Sequence, residues 1–535
     1  MDRQYRFKHA WWVLGEGPVC KPKDEWEVVD IVNSIRDKPD WVNQFKDETI
    51  LSRWKDEIKH GLNLTSTLSD AIIDLIVAEL NWTISKQNQI LPFKISLDDK
   101  IIHRDCLVGP QLKQEFESEI NRFKSTQVYG KQLVVRNLID YSLYPFEYGV
   151  TPIINNKGVT TLSYEFANVK QGNDISNCYR YQRLPSLFTY NQTQNKFEIK
   201  SYINNLHPIK FKSLYTCLES IFNTLIPGLN YVLSRHASKE HVRIHWSNNK
   251  HFSDDYDQAL NIIEEIEDDD EYMIASQEFD KVRFQYLLPP EINIHGPIDD
   301  TPIDLTQFTN IKVFTRMVEI ELNEDNPVFD GELYTIEGLL NEDIVATAIY
   351  FTDENVTPCS YQFTTAFDDP PNRDDLRLCQ VVYGVNDSQL MNRSIGSIDS
   401  NNDRILIFAN IYEQKLGKFK LNDYSKIGYK RMLIFHIVDP TNDSVISTDQ
   451  VPPQQQEWWE EEEQEENGEE GETIITKTMK QEIKWMNPNL PKKHEINIRA
   501  TKGSNLELNQ PWEQFELDDL DQHPFQRKFN FLINV

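Results

Sequence analysis

Between Arg283 and Pro440 the chain breaks into eight short runs rich in β-branched and aromatic residues, separated by turn formers and showing little helical periodicity. The runs are 284–288, 311–322, 332–336, 344–351, 360–364, 378–383, 404–411 and 429–438. Strands this short, at this spacing, point to an antiparallel sandwich or jelly roll. The first third reads differently. Val28, Val29, Val32 and Ile35 fall at helical spacing, as do Ile72, Ile73, Ile76 and Leu80, with a capping-box-like start at Thr67 and Asp70. Leu112, Phe116, Ile120 and Phe123 form a third stripe, and Leu214, Leu218, Ile221, Phe222 and Leu225 a fourth, broken at Pro227-Gly228. All are packing stripes. The fold class is therefore α+β, an α-helical N-terminal half packed on a C-terminal double-stranded β-helix, a cupin-like jelly roll.

With 535 residues the chain exceeds one ordinary core. The expected divisions are a helical region at 1–125, a mixed α/β region at 126–282 ending in an acidic loop, the jelly roll at 283–455, an acidic low-complexity linker at 456–472, and a partly docked tail at 473–535. The net charge of −30 disfavours nucleic acid or an anionic membrane surface as the main partner. Two short runs hold much of it. Glu264 to Glu271 contains seven acids and Glu457 to Glu472 ten, with no base in either. Such runs read as solvated loops, with a basic protein partner as the alternative.

Cys20, Cys106, Cys178, Cys217, Cys359 and Cys379 are scattered with no CxxC, a reducing-compartment pattern rather than a disulfide scaffold or zinc ribbon. No stretch approaches eighteen uncharged apolar residues, and Met1 to Val13 lacks the apolar core of a signal peptide. The expected location is cytoplasmic or nuclear. Walker, Rossmann and GxSxG patterns are missing from the sequence. His236, His241, His245 and His251 crowd together, but no HExxH surrounds them and Arg235, Lys239, Arg243 and Lys250 interleave, so a basic surface segment facing the acidic runs is the favoured reading.

The informative stretch is 329–459. It contains Gly331-Glu332-Leu333-Tyr334-Thr335-Ile336-Glu337-Gly338, then Phe408-Ala409-Asn410-Ile411-Tyr412-Glu413-Gln414, Gly428-Tyr429-Lys430-Arg431 and Val451-Pro452-Pro453. Upstream, Asp37-Lys38-Pro39-Asp40-Trp41 with Phe45 to Trp54, Leu138-Ile139-Asp140 to Gly149, and Tyr181-Gln182 with Ser201 to Pro208 add further blocks. Together they resemble the largely fungal family called domain of unknown function 4246, over about residues 26–459. The resemblance implies an iron(II) and 2-oxoglutarate oxygenase-like jelly roll. Typical members read WHVEG where this chain has Tyr334 to Gly338, FPNxxQH where it has Phe408 to Gln414, and GHR at Gly428 to Lys430. Their His-x-Glu, distal His and basic residue look like two imidazoles and a carboxylate on one face of iron, with a cation anchoring the oxoacid.

This chain departs from that pattern. Thr335 and Gln414 stand at the two imidazole positions, Lys430 at the oxoacid anchor with Arg431 beside it, and Glu337 alone remains a strong ligand. Hydroxyl and amide oxygens do not reproduce the affinity of imidazole for iron(II). Thr335, Glu337 and Gln414 are accordingly vestigial metal positions, and no catalytic residue, metal or cofactor is expected. The function implied is that of a degenerate, non-catalytic binding or scaffold protein. Two alternatives stay open. One is an active iron(II)/2-oxoglutarate oxygenase with a rearranged site in which His436, on the face of Lys430, joins Glu337. The other is a small-molecule or peptide binder that uses the vacated pocket.

Overall fold

Alternating side chains on a strand reach opposite faces, and a strand buried on both faces needs a layer on each side. The strand Asn310–Leu322 is of this kind, with buried residues on both faces. The computed structural model describes residues 7–458 apart from 10–16, 62–65, 91, 128–133, 156–157, 162–180, 239–241, 247–251, 295–301, 372–373, 387–390 and 456–457. Among the described residues a nine-stranded sheet comprises β1 (Lys94–Ser96), β2 (Asp98–Asp105), β3 (Val135–Ile139), β4 (Ser186–Asn191), β5 (Lys196–Ile199), β6 (Asn310–Leu322), β7 (Ile344–Glu354), β10 (Arg404–Ala409) and β12 (Gly428–Val438). A three-stranded sheet comprises β8 (Ser360–Ala366), β9 (Asn392–Asp399) and β11 (Tyr412–Leu416). The larger sheet runs β1-β2-β10-β7-β12-β6-β4-β5, with β3 also pairing β6, and its pairings are antiparallel. Strands from before residue 283 thus complete the sheet built by β6, β7, β10 and β12.

The helices are α1 (Lys23–Arg36), α2 (Trp41–Lys46), α3 (Glu48–Gly61), α4 (Ser66–Gln89), α5 (Pro110–Ser125), α6 (Lys212–Ala237), α7 (Asp254–Glu264), α8 (Asp269–Val282) and α9 (Leu376–Tyr383). One core gathers α5, α6 and the sheets, while Val28, Val32, Ile35, Trp41, Trp54, Ile72 and Leu80 close a second among α1 to α4. Helix α6 packs across the larger sheet, where Phe222 meets Phe435 of β12 at 5.3 Å. The opposite face receives the smaller sheet through Phe363, whose ring lies 5.1 Å from Phe408 of β10. The architecture is mixed helix and strand with mostly antiparallel sheets.

Several expected elements differ. Helix α6 is not broken at Pro227-Gly228; it runs through both, with Pro227 inside it. A Cβ at Gly228 would lie 2.7 Å from Ile407 and 3.0 Å from Ile102, so glycine is what lets the helix lie this close to the sheet. Burial of Leu225, Leu229 and Val232 on that sheet outweighs the backbone bond lost at proline. Residues 378–383, expected as a strand, belong to α9. The Asp375 side chain accepts from Leu378 N at 3.0 Å, and Gly384 at φ +70° ends the helix. Residues 283–286 form a 3-10 turn in place of a strand start. Residues 332–336 contribute one isolated bridge, Thr335 to Gln414.

The first acidic run is not a plain loop. It spans the end of α7 and the start of α8, where Asp268 caps Asp270 N and Glu271 N and acids suit the helix N-terminus. The supposed basic surface segment is also corrected. Arg235 and Arg243 are buried in ion pairs with Asp99 and Glu79, and His236 is bonded to the carbonyls of Val345 and Lys8. His241 and His251 lie outside the described residues, as do Cys178, nearly all of the second acidic run and the tail. No helix among the described residues is long and apolar enough to cross a membrane.

Candidate functional site

Four separate segments meet at Glu337. An irregular stretch leads from the bridge at Thr335 to Gly338 (φ +82°) and on to β7, and Asn410 Nδ2 fixes its course by donating to Glu337 O at 2.7 Å and Ile344 O at 3.0 Å. Arg183, three residues before β4, reaches in from the other side. Its Nη1 donates to Glu337 Oε1 at 2.7 Å, and its Nε donates to Glu342 Oε1 at 2.6 Å. Tyr141, just beyond β3, accepts from Arg183 Nη1 at 3.0 Å and donates to Glu337 Oε1 at 2.6 Å. Arg316 of β6 approaches Glu337 Oε2 at 3.9 Å. The guanidinium of Arg183 also stacks on the Tyr141 ring at 4.6 Å. One buried cation therefore serves two carboxylates and an aromatic face.

The electrostatics follow from that pairing. Burial alone would raise the Glu337 carboxyl, but Arg183 first, then His436 and Arg316, hold it well below the usual carboxylate range. Burial would lower the Arg183 guanidinium, and Glu342, Tyr141 and Glu337 lift it well above its ordinary value. Both ions stay charged across the physiological range.

His436 of β12 faces the same interior. Its Nδ1 lies 2.9 Å from Thr347 Oγ1, its ring stands edge-on to Tyr141 with centroids 5.8 Å apart, and its Nε2 is buried without a hydrogen-bond partner among the described residues. Burial lowers its pKa to about 4 against the opposing pull of Glu337, with Arg183 and Arg316 pushing the same way as burial. It is a neutral imidazole at neutral pH.

Thr335 and Gln414 are direct neighbours. Thr335 N donates to Gln414 O at 2.9 Å and Gln414 N to Thr335 O at 3.0 Å. The Gln414 amide is buried on the side of its partner Phe363, and its Oε1 has no hydrogen-bond partner among the described residues. The two positions matched to the imidazoles are thus side by side, and Glu337 follows Thr335 by two residues.

Lys430 and Arg431 lie on opposite faces of β12. Lys430, fully buried, donates to Asp353 Oδ2 at 2.8 Å and to Ser400 O at 2.7 Å, on the side of Phe419. Arg431 points to α5, where it pairs with Glu319 at 2.5 Å, with Glu117, and with Asn121 Oδ1 at 2.9 Å. Both cations are satisfied by fixed side chains. His436 and Glu337 are brought together; Arg431 is not part of that interior.

Arg183, Tyr141, Arg316 and Glu342 were not singled out from the sequence. Tyr141 lies inside the Leu138 to Gly149 block and Arg183 directly follows the Tyr181-Gln182 block, positions that do not by themselves mark a role. Among the described residues no group of three or more His, Cys, Asp or Glu is placed to hold a metal ion.

A mixed chain whose half-buried carboxylate sits between two sheets, bridged by a guanidinium, is the class of protein that fold and site define. The sequence profile described as protein of unknown function DUF4246 matches residues 70–462, and that of its N-terminal domain matches residues 1–57. The chain belongs to this family. No curated protein matches it. Solved structures resemble it weakly. An Fe(II)/(alpha)ketoglutarate-dependent dioxygenase, TqaL, is 7% identical over 70% of this chain and 93% of its own, at a TM-score of 0.28. IDO from Bacillus thuringiensis is 9% identical over 32% and 59%, at 0.15, and a bsmA homolog from Methylobium petroleophilum is 8% identical over 48% and 72%, at 0.17.

Proposed function

We propose that this chain is a non-catalytic binding or scaffold protein of the cytosol or nucleus, built on a jelly-roll domain whose metal position has become an internal ion pair. The carrying observation is the 2.7 Å contact between Arg183 Nη1 and Glu337 Oε1. A guanidinium already neutralises the one strong ligand that remains. The donors around it do not suit iron(II), because a threonine hydroxyl and a glutamine amide are weak ligands and the carboxylate is committed to Arg183 and Tyr141. No metal-centred step is assigned to them.

The test is anaerobic thermal unfolding with iron(II), manganese(II) and 2-oxoglutarate. The native chain and a Thr335→His, Gln414→His variant are expected to show no joint shift, and the response is expected only when Arg183→Met is added. A ligand at a hundred times its dissociation constant would add about 2.7 kcal/mol. Iron-dependent consumption of 2-oxoglutarate by the native chain, abolished by Glu337→Ala, would overturn the proposal and favour an oxygenase with a rearranged site using Glu337 and His436.

A second reading has its own support. His436 Nε2 and Gln414 Oε1 are buried polar atoms without protein partners among the described residues, which suits a small polar ligand in the interior.

A further inference from the structure

Where α1 and α4 lean against β2 and the end of α6, the helical N-terminal bundle and the central sheet leave a cavity of about 90 Å³. Its lining includes five cations, Lys21, Arg36, Lys100, Arg235 and Arg243, and four carboxylates, Glu25, Glu79, Asp98 and Asp99. The carboxylates are all engaged. Glu79 pairs with Arg243 at 2.7 Å, Asp99 with Arg235, and Asp98 with Lys100 at 3.6 Å while it accepts from Tyr412 Oη at 2.8 Å. Glu25 accepts from Arg243 N at 2.7 Å and Ile244 N at 3.0 Å and lies 3.8 Å from Lys21.

Arg36 is the cation left over. Its Nη2 donates to the Asn33 side chain, and among the described residues its buried Nε has no hydrogen-bond partner and no carboxylate lies within ion-pair distance. Burial lowers its pKa from the ordinary arginine value, and the more distant charges of Glu79, Asp98 and Asp99 do not make up the loss. Arg36 as a whole is half-buried, but a guanidinium whose Nε is shut off from water with no acceptor, and which has no counter-ion, is costly unless an anion completes it. Apart from Ser238, the remaining wall is apolar, formed by Val28, Val29, Val32, Leu75 and Leu97.

We infer that this cavity binds a small organic carboxylate, its head on the Arg36 guanidinium and its hydrocarbon part against the valine and leucine wall. The surplus of a single positive charge matches a monoanion. The volume is below the roughly 150 Å³ that accommodates benzene, which suits an acid of about two to four carbons. The site is separate from the Glu337 cluster and does not depend on the function proposed for it.

The experiment is thermal unfolding of the full chain in acetate, propionate and butyrate, with chloride and phosphate at matched ionic strength as controls. Three chains are compared: native, Arg36→Met, and Val29→Phe, which fills the apolar side with Arg36 intact. Propionate or butyrate is expected to raise the native melting temperature by about 2–4 °C at saturation, with no response in either variant. Without ligand, Arg36→Met is expected to melt no lower than the native chain, since the charges that remain balance. Three results would overturn the inference: equal shifts with every anion, a shift with phosphate alone, or a marked loss of stability in Arg36→Met, which would make Arg36 the structural counter-ion of Glu79.

Discussion

Arg183 and Glu337, 154 residues apart in the chain, meet at 2.7 Å, and through the same guanidinium Glu342 is tied to the segment that leads into β4. The contact closes the interior between the two sheets with a charge that cannot leave without exposing two others.

Removing that charge should be expensive. Arg183→Met leaves the buried Glu342 and the half-buried Glu337 without their main counter-ion, and a loss of about 3 kcal/mol is expected from the urea midpoint at constant slope. Adding Glu337→Gln and Glu342→Gln to the same chain should return part of it, because neutral amides carry a smaller desolvation penalty.

Stability should fall on mild acidification. The ordinary histidine value of 6.5 describes His436 in the unfolded chain, and burial lowers it to about 4 in the folded one. Between these values the unfolded state binds the extra proton, so the contribution is complete above pH 6.5 and is lost as pH falls towards 4. His103, also lowered to about 4 chiefly by burial, acts in the same window. His436→Gln is expected to reduce the slope of unfolding free energy against pH between 4 and 6.5.

Lys430 and Arg431 are expected to behave as structural cations. Lys430→Met strands Asp353, and Arg431→Met strands Glu117 and weakens the hold on Glu319, so each should cost about 3 kcal/mol by denaturant unfolding. Placed in the Thr335→His, Gln414→His, Arg183→Met chain, where a response to iron(II) and 2-oxoglutarate is expected, neither variant should alter that response. A selective loss of such a response in Lys430→Met would give that residue the anchoring role its position in the family pattern implies.

Gly338→Ala probes the approach to Glu337. The residue holds φ at +82°, and an added Cβ would lie 2.7 Å from Ile344 Cδ1. A loss of about 1–2 kcal/mol is expected from the backbone alone. Ile344→Val should relieve the contact but not the strain, so the double variant should recover only in part.

The sequence made some of this legible. Strands such as β7 and β12 announce themselves because long β-branched and aromatic runs have no competing helical period. Leu376–Tyr383 misleads because Leu378, Val381 and Val382 suit a strand equally well; the decision belongs to Asp375 and Gly384 at its ends. Helix α6 survives Pro227 because its packing on the sheet, which no local pattern encodes, exceeds the local cost. At the site, Thr335, Glu337 and Gln414 could be found from their motif. Arg183 could not, since an arginine after Tyr181-Gln182 looks like any surface cation until the fold carries it to Glu337.

The placement of Lys430 and Arg431 also bears on how the chain finds its register. Slipping β12 by one residue would exchange their faces, sending the arginine towards Asp353 and leaving the shorter-headed lysine to Glu319 and Glu117. Each misaligned pairing would bury a charge against the wrong geometry. Two adjacent cations with partners on opposite faces therefore work as a two-sided key to the register of β12.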